Sequence, residues 1–211
     1  MPQFLLPVLA FATTWGILVL TPGTETALVI RLGISVGRTT ATGAVLGIAT
    51  GLTLWGFGTA FGLSALISTS RPLFLGLEWA CAGYLLYLAV RLLINVLKAH
   101  PQQAEAHGGY TPQAFWSGFQ RGALTTVLNP LVGVFDLTAF PQFIPPGVSV
   151  LSYSFLLLIV QVILTLLWYF TLVIMAVSLS RFLARPAIIR ILDTLTGLVF
   201  VFFAVRLLLN P

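Results

Sequence analysis

Charge is what this chain has least of. Of its 211 residues, 10 are Lys or Arg and 5 are Asp or Glu, a charged fraction of 7%, against roughly 25% in soluble domains. So few charges cannot cover the surface of a water-soluble domain of this length. The single cysteine, Cys81, excludes an internal disulfide framework and any cysteine-based metal cluster within one chain. The two histidines, His100 and His107, share one polar loop, where surface positions account for them better than a metal site does. Basic residues stand singly between apolar runs, so the net charge of +5 is a topology signal and not the footprint of nucleic-acid binding.

What the chain does have is long apolar runs. Hydrophobic residues make up 58% of it and the mean hydropathy is +1.04. Six stretches stand out, at residues 3–30, 41–67, 72–97, 115–143, 150–178 and 187–209, each long enough for a bilayer crossing of about 20 residues. The expected fold is therefore all-α: a polytopic integral membrane protein of six transmembrane helices, solvated by lipid. No basic residue precedes the first stretch, which runs on into Thr21-Pro22-Gly23, so it reads as a retained span and not a signal peptide. Residues 99–114 form the one substantial polar loop.

Orientation follows from the basic residues, which stay cytoplasmic near span ends. With the N-terminus outside, the cytoplasmic side receives Arg31, Arg38, Arg91, Lys98, Arg121, Arg181, Arg185 and Arg190, and the far side only Arg71 and Arg206. Both termini are thus expected outside.

The sequence also matches itself. Ala89-Val90-Arg91-Leu92-Leu93-Ile94-Asn95 recurs as Ala204-Val205-Arg206-Leu207-Leu208-Leu209-Asn210, and Glu78 falls on Asp193 in the same register. Each half carries a proline-centred break in its first span, Thr21-Pro22-Gly23 and Leu128-Asn129-Pro130. Three spans per half reverse the side of entry, so residues 1–98 and 115–211 read as inverted repeats, an arrangement recurrent among secondary transporters.

Taken together these segments resemble the LysE/RhtB family of bacterial amino-acid exporters. Leu20-Thr21-Pro22-Gly23 is similar to the family's first-span Pro-Gly motif, and Gly33 to Arg38 with Gly43, Gly47 and Gly51 to its glycine-rich second span. Gly83-Tyr84-Leu85 with Val90-Arg91-Leu92-Leu93 resembles the third span, and Leu128-Asn129-Pro130 with Phe140-Pro141-Gln142-Phe143 the fourth. The resemblance implies a bacterial inner-membrane protein that exports amino acids or close derivatives at the expense of the proton gradient, with no cofactor. Two positions depart from the family pattern: Thr24 stands where a second proline is usual, and Leu131 where a lysine is. A divergent solute, such as a cation or a modified metabolite, is the alternative these departures raise.

Physical chemistry points to the same segments. Pro22 and Pro130 remove a backbone donor and clash with the preceding turn. Irregular backbone at membrane depth is tolerated where it is buried in protein or lines a wet cavity, and half-helix N-termini there can hold a carboxylate. The expected substrate-binding residues are Thr21, Pro22, Gly23, Thr24, Glu25, Asn129, Pro130 and Leu131; simple bending of the two spans for packing is the plainer reading. Glu25 and Asp136 are acids inside apolar runs, where a charge costs at least about 2.5 kcal/mol. Each can bind a substrate ammonium or carry the coupling proton. The alternatives are an ion pair of Glu25 with Arg31, and for Asp136 a pairing with Arg121 or a place near the outer surface.

Glu78 and Asp193 are expected to complement helix N-termini, and Arg91 and Arg206 to snorkel to opposite interfaces. Gly43, Gly47 and Gly51, continued by Gly58 and Gly62, form a face of small residues for close packing between the repeats or in a homodimer. An enzyme is disfavoured, because no histidine lies in a span and Thr21 as a nucleophile would lack a base. A purely structural subunit would leave the broken helices and buried acids without a purpose.

Overall fold

The computed structural model describes residues 2–69, 71–98, 115–175, 182–183 and 185–209. The polar loop with His100 and His107, together with Arg181 and Asn210, lies outside the described residues, as do the side chains of Glu78 and Asn95. Among the described residues all regular structure is helical. We label the eight helices α1 (Pro2–Leu20), α2 (Thr24–Ser35), α3 (Arg38–Thr69), α4 (Arg71–Lys98), α5 (Phe115–Val127), α6 (Pro130–Phe143), α7 (Val150–Ile174) and α8 (Pro186–Leu209). Residues Arg38–Gly62 of α3, and α7 and α8 entire, are each long and apolar enough to cross a bilayer. Two further pairs reach that length as broken spans, α1 with α2 and α5 with α6, each bent by 56°.

The breaks sit where the prolines predict them, with different local chemistry. Thr21 to Gly23 lie outside any helix, and Gly23 is the N-cap of α2 with no side chain to offer. At the second break Pro130 opens α6 at a position where its missing N–H costs nothing, and Asn129 caps the helix by accepting from the Leu131 N–H at 3.1 Å. The first span runs further than its apolar stretch suggests. Arg31 lies within α2, which ends only where Gly37 takes φ +128° and the Val36 and Gly37 amides return to the Leu32 carbonyl. Asp193 lies seven residues into α8, and neither α4 nor α8 has an acid in its first turn. The expected helix-end role for Glu78 and Asp193 is therefore corrected, because the helix dipole acts only within that turn.

Glycine sets the closest packing. Gly43, Gly47 and Gly51 of α3 lie against Phe115, Phe119 and Thr126 of α5, while Gly118 and Gly122 of α5 lie against Thr40 and Ala44 of α3. The contacts advance together along both helices, so α3 and α5 run parallel. Gly58 and Gly62 have open space beside them and take no part.

A phenylalanine cluster joins α1, α6 and α8. Phe11 of α1 meets Phe140 and Phe143 of α6 edge-on at 5.6 and 5.5 Å, and Phe203 of α8 meets Phe135 and Phe143 at 5.8 Å. Such pairs contribute about 0.5–1.5 kcal/mol each beyond burial. Arg206, in the last turn of α8, donates to the Gln142 carbonyl at 3.2 Å. The middle of α1 thus meets the end of α6, which in turn meets the end of α8.

Candidate functional site

Both broken helices meet at Glu25. It stands in the first turn of α2, half-buried, and both its carboxylate oxygens are engaged by hydroxyls from elsewhere in the fold. Thr126, in the last turn of α5, donates to Oε1 at 2.9 Å, and Tyr169 of α7 donates to Oε2 at 3.2 Å. The Asn129 side chain also lies against the carboxyl. Four elements therefore converge on one acid: the start of α2, the end of α5, the cap of α6 and the C-terminal half of α7.

The neighbouring residues brace this arrangement. Thr21 donates to the Ile17 carbonyl at 2.9 Å, so its only proton is committed and the 2.6 Å contact with Thr196 of α8 is donated by Thr196. Trp55 of α3 reaches across the seam and donates to the carbonyls of Thr126 and Val127, both at 3.2 Å, while its ring fills the space beside Gly133. One indole thus serves the orphan carbonyls at the end of α5 and seats the start of α6. Gly23, Thr24 and Pro130 are exposed, and Pro22 and Leu131 half-buried.

Asp136 is elsewhere. It lies on α6 with none of its surface exposed, and its Oδ1 accepts from the Gln161 amide of α7 at 2.7 Å. Its Oδ2 has no hydrogen-bond partner among the described residues. The structure thus brings Glu25 and Asn129 together and sets Asp136 apart. Thr126, Tyr169, Trp55, Thr196 and Gln161 are site residues that sequence reasoning missed; the only signal was their polarity inside apolar helices.

With this geometry in view, comparison with known proteins is decisive. The profile of the LysE type translocators matches residues 16–211. The chain belongs to the LysE type translocator family. As such a translocator it is a multi-pass membrane transporter and not an enzyme. It is 30% identical over 193 residues to a leucine efflux protein of Enterobacter sp. strain 638, covering 90% of this chain and 89% of that protein. A leucine efflux protein of Klebsiella pneumoniae is 28% identical over 192 residues, covering 90% and 89%. The uncharacterized membrane protein YrhP of Bacillus subtilis is 26% identical over 202 residues, covering 94% and 96%. No solved structure matches the chain. In this LysE type translocator, what the broken helices hold between them is an acid ringed by hydroxyls.

Proposed function

We propose that this LysE type translocator exports an amino acid or a closely related small zwitterion, and that Glu25 holds the substrate ammonium where the two broken helices meet. The observation that carries the reading is the convergence of Thr126, Tyr169 and Asn129 on the Glu25 carboxylate. Hydroxyl donors fix the acid's orientation without neutralising it, so its charge remains available to an ammonium. The first N–H groups of α2 have no side-chain cap, and they are the ready partner for the substrate carboxylate. At the other break Asn129 already occupies that place on α6. A small zwitterion is then held by α2 at both its ends, and the family's usual lysine is not needed at Leu131. Two relatives are named leucine efflux proteins, which makes a neutral aliphatic amino acid the first substrate to test.

Transport in this reading is alternating access, with residues 1–98 rocking against residues 115–211 as inverted three-helix repeats across six spans. Both breaks bend by 56°. α1 packs along α7 as α3 packs along α5, and α4 pairs with α8. The parallel run of α3 and α5 supports a crossing by α4. The proton gradient drives export, with Glu25 and Asp136 as the acids able to couple it. The distribution of the basic residues supports an orientation with both termini outside the inner membrane and residues 99–114 in the cytoplasm.

Efflux from cells preloaded with a mixture of amino acids tests this reading, comparing wild type with Glu25→Gln at matched expression, with and without a protonophore. Faster loss of particular amino acids, abolished by the substitution and by gradient collapse, is the expected result. An unchanged efflux pattern in Glu25→Gln overturns it.

A further inference from the structure

We propose that Asp136 and Gln161 together form the proton-carrying site of this translocator, separate from the substrate site at Glu25, with Gln161 as the residue that positions the acid. The proposal deepens the exporter reading above and rests on it. Both residues are completely buried, Asp136 on α6 and Gln161 near the middle of α7, and they face each other through one hydrogen bond, Nε2 to Oδ1 at 2.7 Å. Two buried oxygens of this same pair, Asp136 Oδ2 and Gln161 Oε1, have no hydrogen-bond partner among the described residues. A primary amide offers one donor edge and one acceptor edge side by side. A carboxyl group complements both edges only when it carries a proton, its carbonyl oxygen accepting from the amide and its hydroxyl donating to the amide oxygen. Ionised, the same carboxyl leaves an oxygen unsatisfied in a dry core, where an unpartnered charge is costly. One proton on Oδ2 is the group that both orphaned oxygens lack. It comes from bulk water on one side of the membrane and returns to bulk water on the other, with no other bond made or broken.

The surroundings suit a carrier of protons better than an ion pair. The carboxyl is touched by the Gln161 amide. The helices packed against α6 carry their basic groups toward their ends, Arg38 on α3, Arg71, Arg91 and Lys98 on α4, and Arg190 and Arg206 on α8, while α1 carries none. The acids on those helices are Glu78 and Asp193, and the phenols of α7 are Tyr153 and Tyr169, the latter donating to Glu25.

The pair is also wired to the substrate site. Gln161, Thr165 and Tyr169 follow one another at four-residue spacing on one stripe of α7, so about 12 Å separates the first from the last. Gln161 holds Asp136 of α6, Thr165 accepts from the Trp15 indole of α1 at 2.9 Å, and Tyr169 holds Glu25 of α2. A shift of α7 as a whole when Asp136 loses its proton would carry with it the hydroxyl that orients Glu25. Proton and substrate are linked through one helix face, without sharing a residue.

Two measurements on the purified full-length protein test this. Infrared difference spectra between acid and alkaline pH should show a protonated-carboxyl band that is lost in Asp136→Asn, shifted in frequency in Gln161→Met, and retained in Glu25→Gln. In proteoliposomes, Asp136→Asn should keep the exchange of labelled for unlabelled leucine across the membrane and lose all stimulation by a pH gradient, because Asn keeps the acceptor for Gln161 but carries no titrating proton. Gradient-stimulated transport in Asp136→Asn, a carboxyl band that survives in it, or a band in Gln161→Met identical to the wild type overturns the proposal. A wild type with no such band, the pair being satisfied by water alone, overturns it too. Should the wild type exchange no leucine or other amino acid, the exporter reading fails, and the Asp136 band with its dependence on Gln161 still decides the pair.

Discussion

Alanine at Gly47 and alanine at Gly58, two positions on the same helix, should move stability in opposite directions. A Cβ on Gly47 would lie 2.7 Å from the Ala123 nitrogen and 2.9 Å from the Phe119 carbonyl carbon, on the backbone of α5. Ordinary carbon contacts begin near about 3.5 Å, so α3 and α5 must part by roughly 1 Å, and the partner atoms are backbone that cannot rotate away. Overpacking of this kind costs about 1–3 kcal/mol. At about 2–4 °C per kcal/mol for a chain of this size, the apparent Tm of Gly47→Ala should fall by about 2–12 °C. Gly58 has nothing within 4 Å of the same added atom. There alanine only removes the entropic penalty of a helical glycine, about 0.5–1 kcal/mol, and Tm should rise by about 1–4 °C. Thermal unfolding in detergent, followed by tryptophan fluorescence, reads both. Equal losses at the two positions would refute the assignment of the α3/α5 seam, and so the placement of the α5 break against α3.

Three further outcomes follow from the geometry around Glu25. Trp55→Phe removes the donor shared by the Thr126 and Val127 carbonyls; a stability loss of about 0.5–1.5 kcal/mol with slowed efflux is expected, and unaltered efflux at lowered stability would confine Trp55 to packing. Thr21→Val and Thr196→Val should each cost about 1 kcal/mol, and the double substitution less than their sum, because the pair shares one hydrogen bond; strict additivity in a thermal-unfolding cycle would contradict that bond. Tyr169→Phe frees Glu25 Oε2 and should raise the KM for efflux more than it lowers Vmax, since it loosens the acid that binds substrate; an effect on Vmax alone would assign the hydroxyl to the transport step instead.

How much of this was legible in the sequence depends on what kind of feature carried it. The breaks were readable because Pro22 and Pro130 stand in Pro22-Gly23 and Asn129-Pro130, dipeptides that mark turns, whereas Pro7 and Pro141, without such a partner, stay inside α1 and α6. Glu25 and Asp136 stood out as acids in apolar runs. Their partners did not, since Thr126 and Tyr169 reach Glu25 from 101 and 144 residues away. A lone threonine in a membrane helix satisfies itself just as well, as Thr13 and Thr171 do by donating to the carbonyls of Leu9 and Leu167 one turn earlier. The glycine face was half legible. Gly58 continues the face of Gly43, Gly47 and Gly51, but α5 ends at Val127, one residue beyond the Thr126 contact of Gly51, so later glycines meet no partner. Spacing shows a face; only the partner's length shows where the face stops being used. The first apolar stretch stops at residue 30 because Arg31 interrupts it, whereas α2 runs on to Ser35 and its boundary is the positive φ of Gly37.

The central claim is that Glu25, held between the two broken helices, binds the ammonium of an exported amino acid. Counterflow of labelled leucine into proteoliposomes preloaded with unlabelled leucine, without any ion gradient, isolates that step from coupling. Loss of one partner of a partly buried ammonium–carboxylate pair costs about 2 kcal/mol or more, so Glu25→Gln should weaken counterflow about thirtyfold or more, while Asp136→Asn leaves it intact. Counterflow in Glu25→Gln equal to that of the wild type would contradict the account.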